Sequence, residues 1–229
     1  MLEGGKGRRQ FYLGIEFIRK GTRLPKLQIE QEKLLEGYPK LEEMALDCAG
    51  DLNLLPDDAV SIRIHSIGGW GAITMGKNLA VIASELLGLF VKANPKYGSE
   101  KKGQPTTFYA SLSSEPIRLN CELKHVNVVL SPDPNVFRHS NPLAGLAEGG
   151  VFIIQSDLTP AALWNSLPRT AQTEIRTKKL KVFHLDAFKI ARDEATDSEL
   201  QLRMQGIAFQ GAFFAASPVM EQAGLNHDE

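Results

Sequence analysis

Cysteine is almost missing from this chain. Its 229 residues include two, Cys48 and Cys121, far apart and without a CxxC partner. Two such thiols build neither a zinc site nor an iron–sulfur cluster within one chain, because both need several ligands at close spacing. A disulfide framework is excluded on the same count, and a reducing, cytoplasmic setting is the expectation. Excess charge of either sign is missing too, since the formal net charge is -1. A nucleic-acid binder carries a clustered basic excess, so that class is set aside. No apolar run approaches the ~20 residues that span a bilayer. The opening MLEGGKGRRQF is basic, but no apolar stretch follows it and it does not read as a signal peptide. Catalytic signatures are missing as well. There is no GxSxG elbow and no paired-carboxylate motif, and His65, His125, His139, His184 and His227 never pair at metal-ligand spacing. No catalytic residue and no metal ligand is assigned to this chain.

What is present is an ordinary globular composition, 43% hydrophobic and 23% charged, able to bury a sizeable core. Residues 1–58 differ in character from the rest. A glycine-rich basic lead-in, GGKGRR, is followed by a mixed segment and then QIEQEKLLEGYPKLEEMALDCAG. In that last piece Leu34, Leu35, Leu41, Met44 and Leu46 fall at roughly helical spacing, interrupted by Gly37 and Pro39. The spacing predicts two short amphipathic helices. LPDD at 55–58 punctuates the chain. With no core of its own, the extension 1–58 is expected to lie on the domain 59–229 or on a partner subunit.

From Ala59 a regular alternation begins. Val60, Ile62 and Ile64 alternate with Ser61, Arg63 and His65, which predicts a strand. Beyond a glycine turn, Ile73, Leu79, Ile82, Ala83, Leu86 and Leu87 fall at helical spacing. A loop, KANPKYGSEKKGQP, comes next. Thr106–Leu112 and Pro116–Leu119, separated by SSE, suggest a hairpin. Asn127–Leu130, Val151–Ile154 (preceded by Gly149-Gly150) and Leu180–Leu185 read as further strands, with helices at Ala187–Ala195 and Leu200–Ala216. Strands alternating with helices predict an α/β, Rossmann-like fold whose sheet is mainly parallel, with a β-hairpin addition.

The turn itself reads SIGGWGAITMGKNLA, with Gly68, Gly69, Trp70 and Gly71 between strand and helix. A strand, a glycine turn and a helix N-terminus together present backbone N–H groups to an anion. The dinucleotide fingerprint needs a third glycine and a carboxylate about 20 positions on. Here Thr74 stands at the third glycine, and Phe90, Val91 and Lys92 stand where the carboxylate would be. No G-K-[ST] follows, because Asn78 comes after Gly76-Lys77. NAD and a P-loop are thereby disfavoured. A turn needed for backbone geometry alone stays open. His65, which ends the strand beside this turn, is a candidate for a ligand or subunit contact. Asp133, in SPDPN after a strand, is either a ligand contact or a turn and cap, and the turn is the simpler reading. Lys101 and Lys102, between Gly98 and Gly103, form a compact basic loop suited to phosphates as flexible point charges.

IRIHSIGGWGAIT, ANPKYGSEKKGQPTTFYASLSSEPIR, VVLSPDPNVF, GGVFIIQSD and GIAFQGAFFAA follow one another in this sequence. Together they resemble, in the same order, the gamma subunit or gamma domain of 2-oxoacid:ferredoxin (acceptor) oxidoreductases. The resemblance covers about residues 60–225. The family's first turn is similar to H-G-x-G-G-Q-G and its second to G-x-E-R-R-G-x-P. This sequence has Ser66 for the first glycine, Trp70 for the glutamine, and Lys101-Lys102 for the two arginines. The lysines keep the charge and lose the planar fork, and Trp70 removes an amide's donor and acceptor.

The resemblance implies a gamma subunit of an enzyme that converts a 2-oxoacid and CoA to acyl-CoA and CO2 while reducing ferredoxin or another electron acceptor. Thiamine diphosphate with Mg, and iron–sulfur clusters, would belong to partners, namely alpha and beta subunits and a ferredoxin-like cluster subunit. It also implies a CoA site shared at a subunit cleft, with Gly68, Gly69, Trp70, Gly71, Lys101 and Lys102 as its residues here. The alternative is a stand-alone Rossmann-like nucleotide-binding module using the same turn.

Overall fold

Three residues set the first strand's inner edge. In the computed structural model, which describes residues 33–34, 36–38, 54–96, 103–195 and 198–225, Val60, Ile62 and Ile64 of β1 (Val60–Ile67) are almost wholly buried. The intervening Ser61 and Arg63 are buried as well. The alternation therefore separates two buried faces, one apolar and one polar, and not core from solvent. Ser61 Oγ donates to Asn127 Oδ1 at 2.7 Å, and the Arg63 guanidinium donates to the Pro142 carbonyl at 2.9 Å and to that of Ala144. Buried polar groups on a central strand need such partners.

The chain divides between Leu54 and Leu55 into two units, and the second, Leu55–Glu229, holds the sheet. Residues 55–58 belong to it: the Asp58 carboxylate accepts from Ser113 Oγ and the Ser114 N–H, each at 2.6 Å. In the first unit, Lys33, Leu34, Glu36 and Gly37 are helical, and the Tyr38 N–H donates to the Leu34 carbonyl at 2.9 Å. Leu35, Leu41, Met44 and Leu46 lie outside the described residues, as does the second expected helix.

After β1 come α1 (Ala72–Val81) and a π-helical turn (Ile82–Leu86), then β2 (Phe90–Lys96) and β3 (Pro105–Ser113). β4 (Val126–Ser131) and β5 (Leu146–Gln155) follow, then α2 (Pro160–Ser166), α3 (Arg169–Thr177) and β6 (Lys181–Leu185). α4 (Ala187–Glu194), α5 (Ser198–Ala216) and α6 (Val219–Gln222) complete the order. The strands lie in the order β2-β3-β1-β4-β5-β6. β1, β4, β5 and β6 are parallel, and β3 runs antiparallel between β1 and β2.

Two apolar clusters cover the sheet. On one face Ile62, Ile64, Leu130 and Ile153 meet Met75 and Leu79 of α1 and Phe209 and Phe213 of α5. On the other, Val129, Phe152 and Ile154 meet Leu163 of α2 and Ala171 and Ile175 of α3. Burying each large side chain of this kind stabilises the fold by about 1.5–3 kcal/mol. Helices on both faces of a parallel sheet make the doubly wound architecture. No described helix is long and apolar enough to cross a membrane.

The structure changes the expected hairpin. Thr106–Leu112 is a strand, but its antiparallel partner is Phe90–Lys96, and Pro116–Leu119 forms no strand. Part of the stretch expected as a loop, KANPK, is thus the end of β2. Pro95 is tolerated there because β2 is an edge strand, where a missing N–H costs no ladder bond. Gly149 and Gly150 lie inside β5, where its register with β4 slips, and do not precede it. Leu86, expected on the buried face of the first helix, is 76% exposed because the chain widens into the π turn. α2 and α3 had no counterpart in the sequence expectations. Their start signals are Thr159-Pro160, with Thr159 Oγ1 accepting from the Ala162 N–H, and Pro168 before α3.

α1 presses its backbone against β3 at Gly76, where any Cβ would overlap the ring of the buried Phe108. Gly76→Ala is expected to destabilise the chain by about 2 kcal/mol, although alanine favours helix by ~1 kcal/mol at an unconstrained position. Denaturant unfolding of the two proteins measures the difference, and equal or greater stability of the variant would contradict the close contact.

Candidate functional site

The glycine turn leaves the end of β1 at the centre of the sheet. Gly69 and Gly71 hold φ of 94° and 80°, conformations that side chains with a Cβ rarely adopt. Gly68 is paired across to the lead-in of β3: its N–H donates to the Gln104 carbonyl at 2.7 Å, and its carbonyl accepts from the Gly103 N–H at 3.0 Å. The antiparallel β1–β3 ladder therefore continues past both strands and ties the glycine turn to Gly103, the residue that follows Lys102 in the chain. Gly103 also holds a positive φ of 90°. Lys101 and Lys102 lie outside the described residues.

Gly71 is the N-cap of α1 and offers no capping side chain, and the helix has no acidic residue in its first turn. Its first N–H groups are left for another acceptor, and the helix dipole there favours an anion. Trp70 is half-buried. Its N–H donates to the Ile67 carbonyl at 3.0 Å, and its own carbonyl accepts from Gln205 Nε2 at 3.2 Å. Its ring meets Phe188 of α4 edge to face, with centroids 5.7 Å apart and planes at 80°. Gln205 is fully buried, and its Oε1, like the buried Ser66 Oγ, has no partner. Phe188 and Gln205 escaped the sequence reading because their part depends on α4 and α5 returning to this end of the sheet. A signal for Gln205 existed: a polar residue within the small, apolar run of the last long helix.

The imidazole of His65 is turned inward. Its Nε2 is buried without a partner. Burial first, then the charges of Arg63 and His139, push its pKa down to about 3. Arg63 is likewise shifted downward by burial. Asp133 is 2% exposed and holds a turn: Oδ1 accepts from the Asn135 N–H at 2.8 Å, and Oδ2 lies 2.6 Å from His139 Nε2. Ser131 Oγ donates to the Asp133 carbonyl at 2.9 Å. Its contacts are those of a structural turn. Among the described residues no three His, Cys, Asp or Glu side chains gather as a metal site.

At the same end of the sheet lies a cleft of about 770 Å³ between the β4 exit, the β5 exit and α4, with Phe188 in its wall. The C-terminal edge of parallel strands is where doubly wound folds hold ligands.

Residues 61–227 match the family described as pyruvate ferredoxin/flavodoxin oxidoreductase. The chain is 27% identical over 176 residues to the pyruvate-flavodoxin oxidoreductase of Trichormus variabilis, covering 77% of this chain and 14% of that protein. It is 32% identical over 132 residues to the common subunit gamma of the pyruvate/ketoisovalerate oxidoreductases of Thermococcus litoralis, covering 58% of this chain and 66% of that one. This chain thus spans a small part of the first relative and about two thirds of the second. Among solved structures, pyruvate oxidoreductase subunit PORC of Thermotoga maritima superposes with a TM-score of 0.55 at 20% identity, over 73% of this chain and 82% of that one. The match of both the sequence across 61–227 and the fold places the chain: it belongs to the pyruvate ferredoxin/flavodoxin oxidoreductase family.

Proposed function

We propose that this chain is the gamma subunit of a 2-oxoacid:acceptor oxidoreductase, in which a 2-oxoacid, CoA and an oxidised acceptor give acyl-CoA, CO2 and a reduced acceptor. The observation that carries this reading is the pairing of Gly68 with Gly103 and Gln104, which brings the two motifs of the resemblance to one place. Thiamine diphosphate with Mg, and the iron–sulfur clusters, belong to the alpha, beta and ferredoxin-like subunits, and the electrons pass on to ferredoxin or another acceptor. This chain's own share is assembly and one wall of the CoA site. Gly68, Gly69 and Gly71 let a ligand approach the backbone closely, and the uncapped start of α1 faces an anion with free N–H groups. Trp70, held by Gln205 and Phe188, sets the shape of that wall. Lys101 and Lys102 supply charge for the phosphates.

Of the extension expected over residues 1–58, the part before Leu55 is assigned to a partner subunit, since its amphipathic leucines need a surface to cover. Affinity purification from native extract is expected to recover a thiamine-diphosphate subunit and a cluster protein with the full chain, and to recover less of both with residues 56–229 alone. A full chain that emerges without partners and retains nucleotide supports the stand-alone module instead, and unchanged assembly of the truncated chain removes the role of the extension. Assay of the recovered complex with CoA against a panel of 2-oxoacids then identifies the substrate.

A further inference from the structure

The cleft of about 770 Å³ lies on the opposite side of the β4 exit from the glycine turn. Its size is that of a small-molecule site. Its walls differ in chemistry. Arg138 comes from the β4 exit, Asp157 follows the end of β5, Phe188 and Arg192 stand on α4, and Leu163 of α2 contributes to an apolar floor. The Arg138 N–H donates to the Asn135 carbonyl at 2.9 Å, while the side chains of Arg138 and Asp157 make no hydrogen bond or ion pair among the described residues. Arg192 has an electrostatic interaction with Asp186, whose carboxylate is already occupied by the Lys189 N–H and Gln155 Nε2 at 3.0 and 3.2 Å. Among the described residues the cleft thus offers one guanidinium without a side-chain partner, Arg138, a second, Arg192, shared with Asp186, the carboxylate of Asp157 and an aromatic face in one space.

We propose that this cleft binds a nucleoside phosphate. A base packs on Phe188, whose orientation is set by its edge contact with Trp70. Aromatic rings take any base by its π face. A ribose diol is the natural partner of a lone carboxylate at the end of a parallel strand, the place of Asp157. A phosphate takes the paired donors of Arg138 and Arg192, whose planar forks suit it better than lysine does. The balance of two arginines against Asp157 and Asp186 is near neutral, so a phosphate is held by the directed donors of the guanidinium forks and not by net charge. The ligand is a free adenosine nucleotide, apart from the coenzyme assigned to the glycine turn. This site does not depend on Lys101, Lys102 or the coenzyme reading above.

Calorimetric titration of the full 229-residue chain with ADP, adenosine and CoA tests it. ADP is expected to bind once per chain, and adenosine at least about tenfold more weakly, the loss that follows from removing charge-assisted bonds. Arg138→Ala/Arg192→Ala is expected to weaken ADP by about tenfold or more. Both residues are exposed, so the fold is expected to survive, which circular dichroism checks. If this variant loses ADP and keeps CoA, the cleft is supported as a nucleotide site; if it loses both, the cleft belongs to the coenzyme's site and the proposal is overturned. ADP that fails to bind, binds the double-arginine variant unchanged, or is lost only in Lys101→Ala/Lys102→Ala overturns it, and the last of these leaves the coenzyme reading standing.

Discussion

Acid is expected to remove up to about 5 kcal/mol of folding stability through His65 alone, from the ~1.4 kcal/mol that each pKa unit represents. In the unfolded chain this imidazole takes its proton near its ordinary 6.5, whereas in the fold it resists protonation down to about 3. Between those values the unfolded state binds more protons, so stability falls as pH falls, and above 6.5 this group contributes no slope. The cause is the polar face of β1. His65 has a buried Nε2 without an acceptor, and Arg63 on the same face already carries a charge in a site 7% exposed. Asp133, the carboxylate of this cluster, sits with His139 and the Asn135 N–H. The measurement is the denaturant midpoint of wild type and His65→Gln from pH 7 to pH 3. Carboxylates such as Asp58 and Asp186, both held below the usual range by hydrogen bonds, contribute to the acid slope of both proteins. The difference between the two curves isolates His65, and parallel curves would show that the imidazole is hydrated in the fold.

Lys101→Ala/Lys102→Ala is expected to raise the apparent KM for CoA of the assembled complex by roughly tenfold to a hundredfold. Each lost charge-assisted contact to phosphate removes about 1.5–3 kcal/mol when shielded and less when exposed. Turnover at saturating CoA is expected to hold, because the contact is made equally in the ground and transition states. Lys101→Arg/Lys102→Arg keeps the charge and is expected to stay close to wild type, and raised salt is expected to narrow the gap between wild type and the alanine variant. An unchanged KM in the alanine variant removes the phosphate role of this loop. The expectation rests on where the loop returns: Gly103 is bonded to Gly68 at the glycine turn, beside the uncapped first turn of α1.

Periodicity located α1 and the four parallel strands because each is a local pattern of apolar residues. It failed where a local pattern met a distant partner. The pair of Phe90–Lys96 with Pro105–Ser113 joins strands on either side of a stretch that reads as a loop, and Pro95 argued against a strand until its edge position was known. Leu163 of α2, Leu167 just after it, and Ala171 and Ile175 of α3 fall at helical spacing, yet the prolines Pro160 and Pro168 hid two short helices as a loop. Asp133 illustrates the reverse case, since the simpler reading of SPDPN as a turn matches its bond to the Asn135 N–H.

By itself the sequence determined the class of fold, the glycine turn that lacks a dinucleotide fingerprint, and the order of motifs that leads to the family. All of these are properties of residue type and spacing along the chain. Tertiary structure alone decided which strands flank the turn, that Trp70 leans on Phe188 and hangs from Gln205, and that His65 faces inward beside Arg63. Those depend on contacts between residues far apart in the chain and on loss of water around them, and neither desolvation nor long-range pairing leaves a period in the sequence.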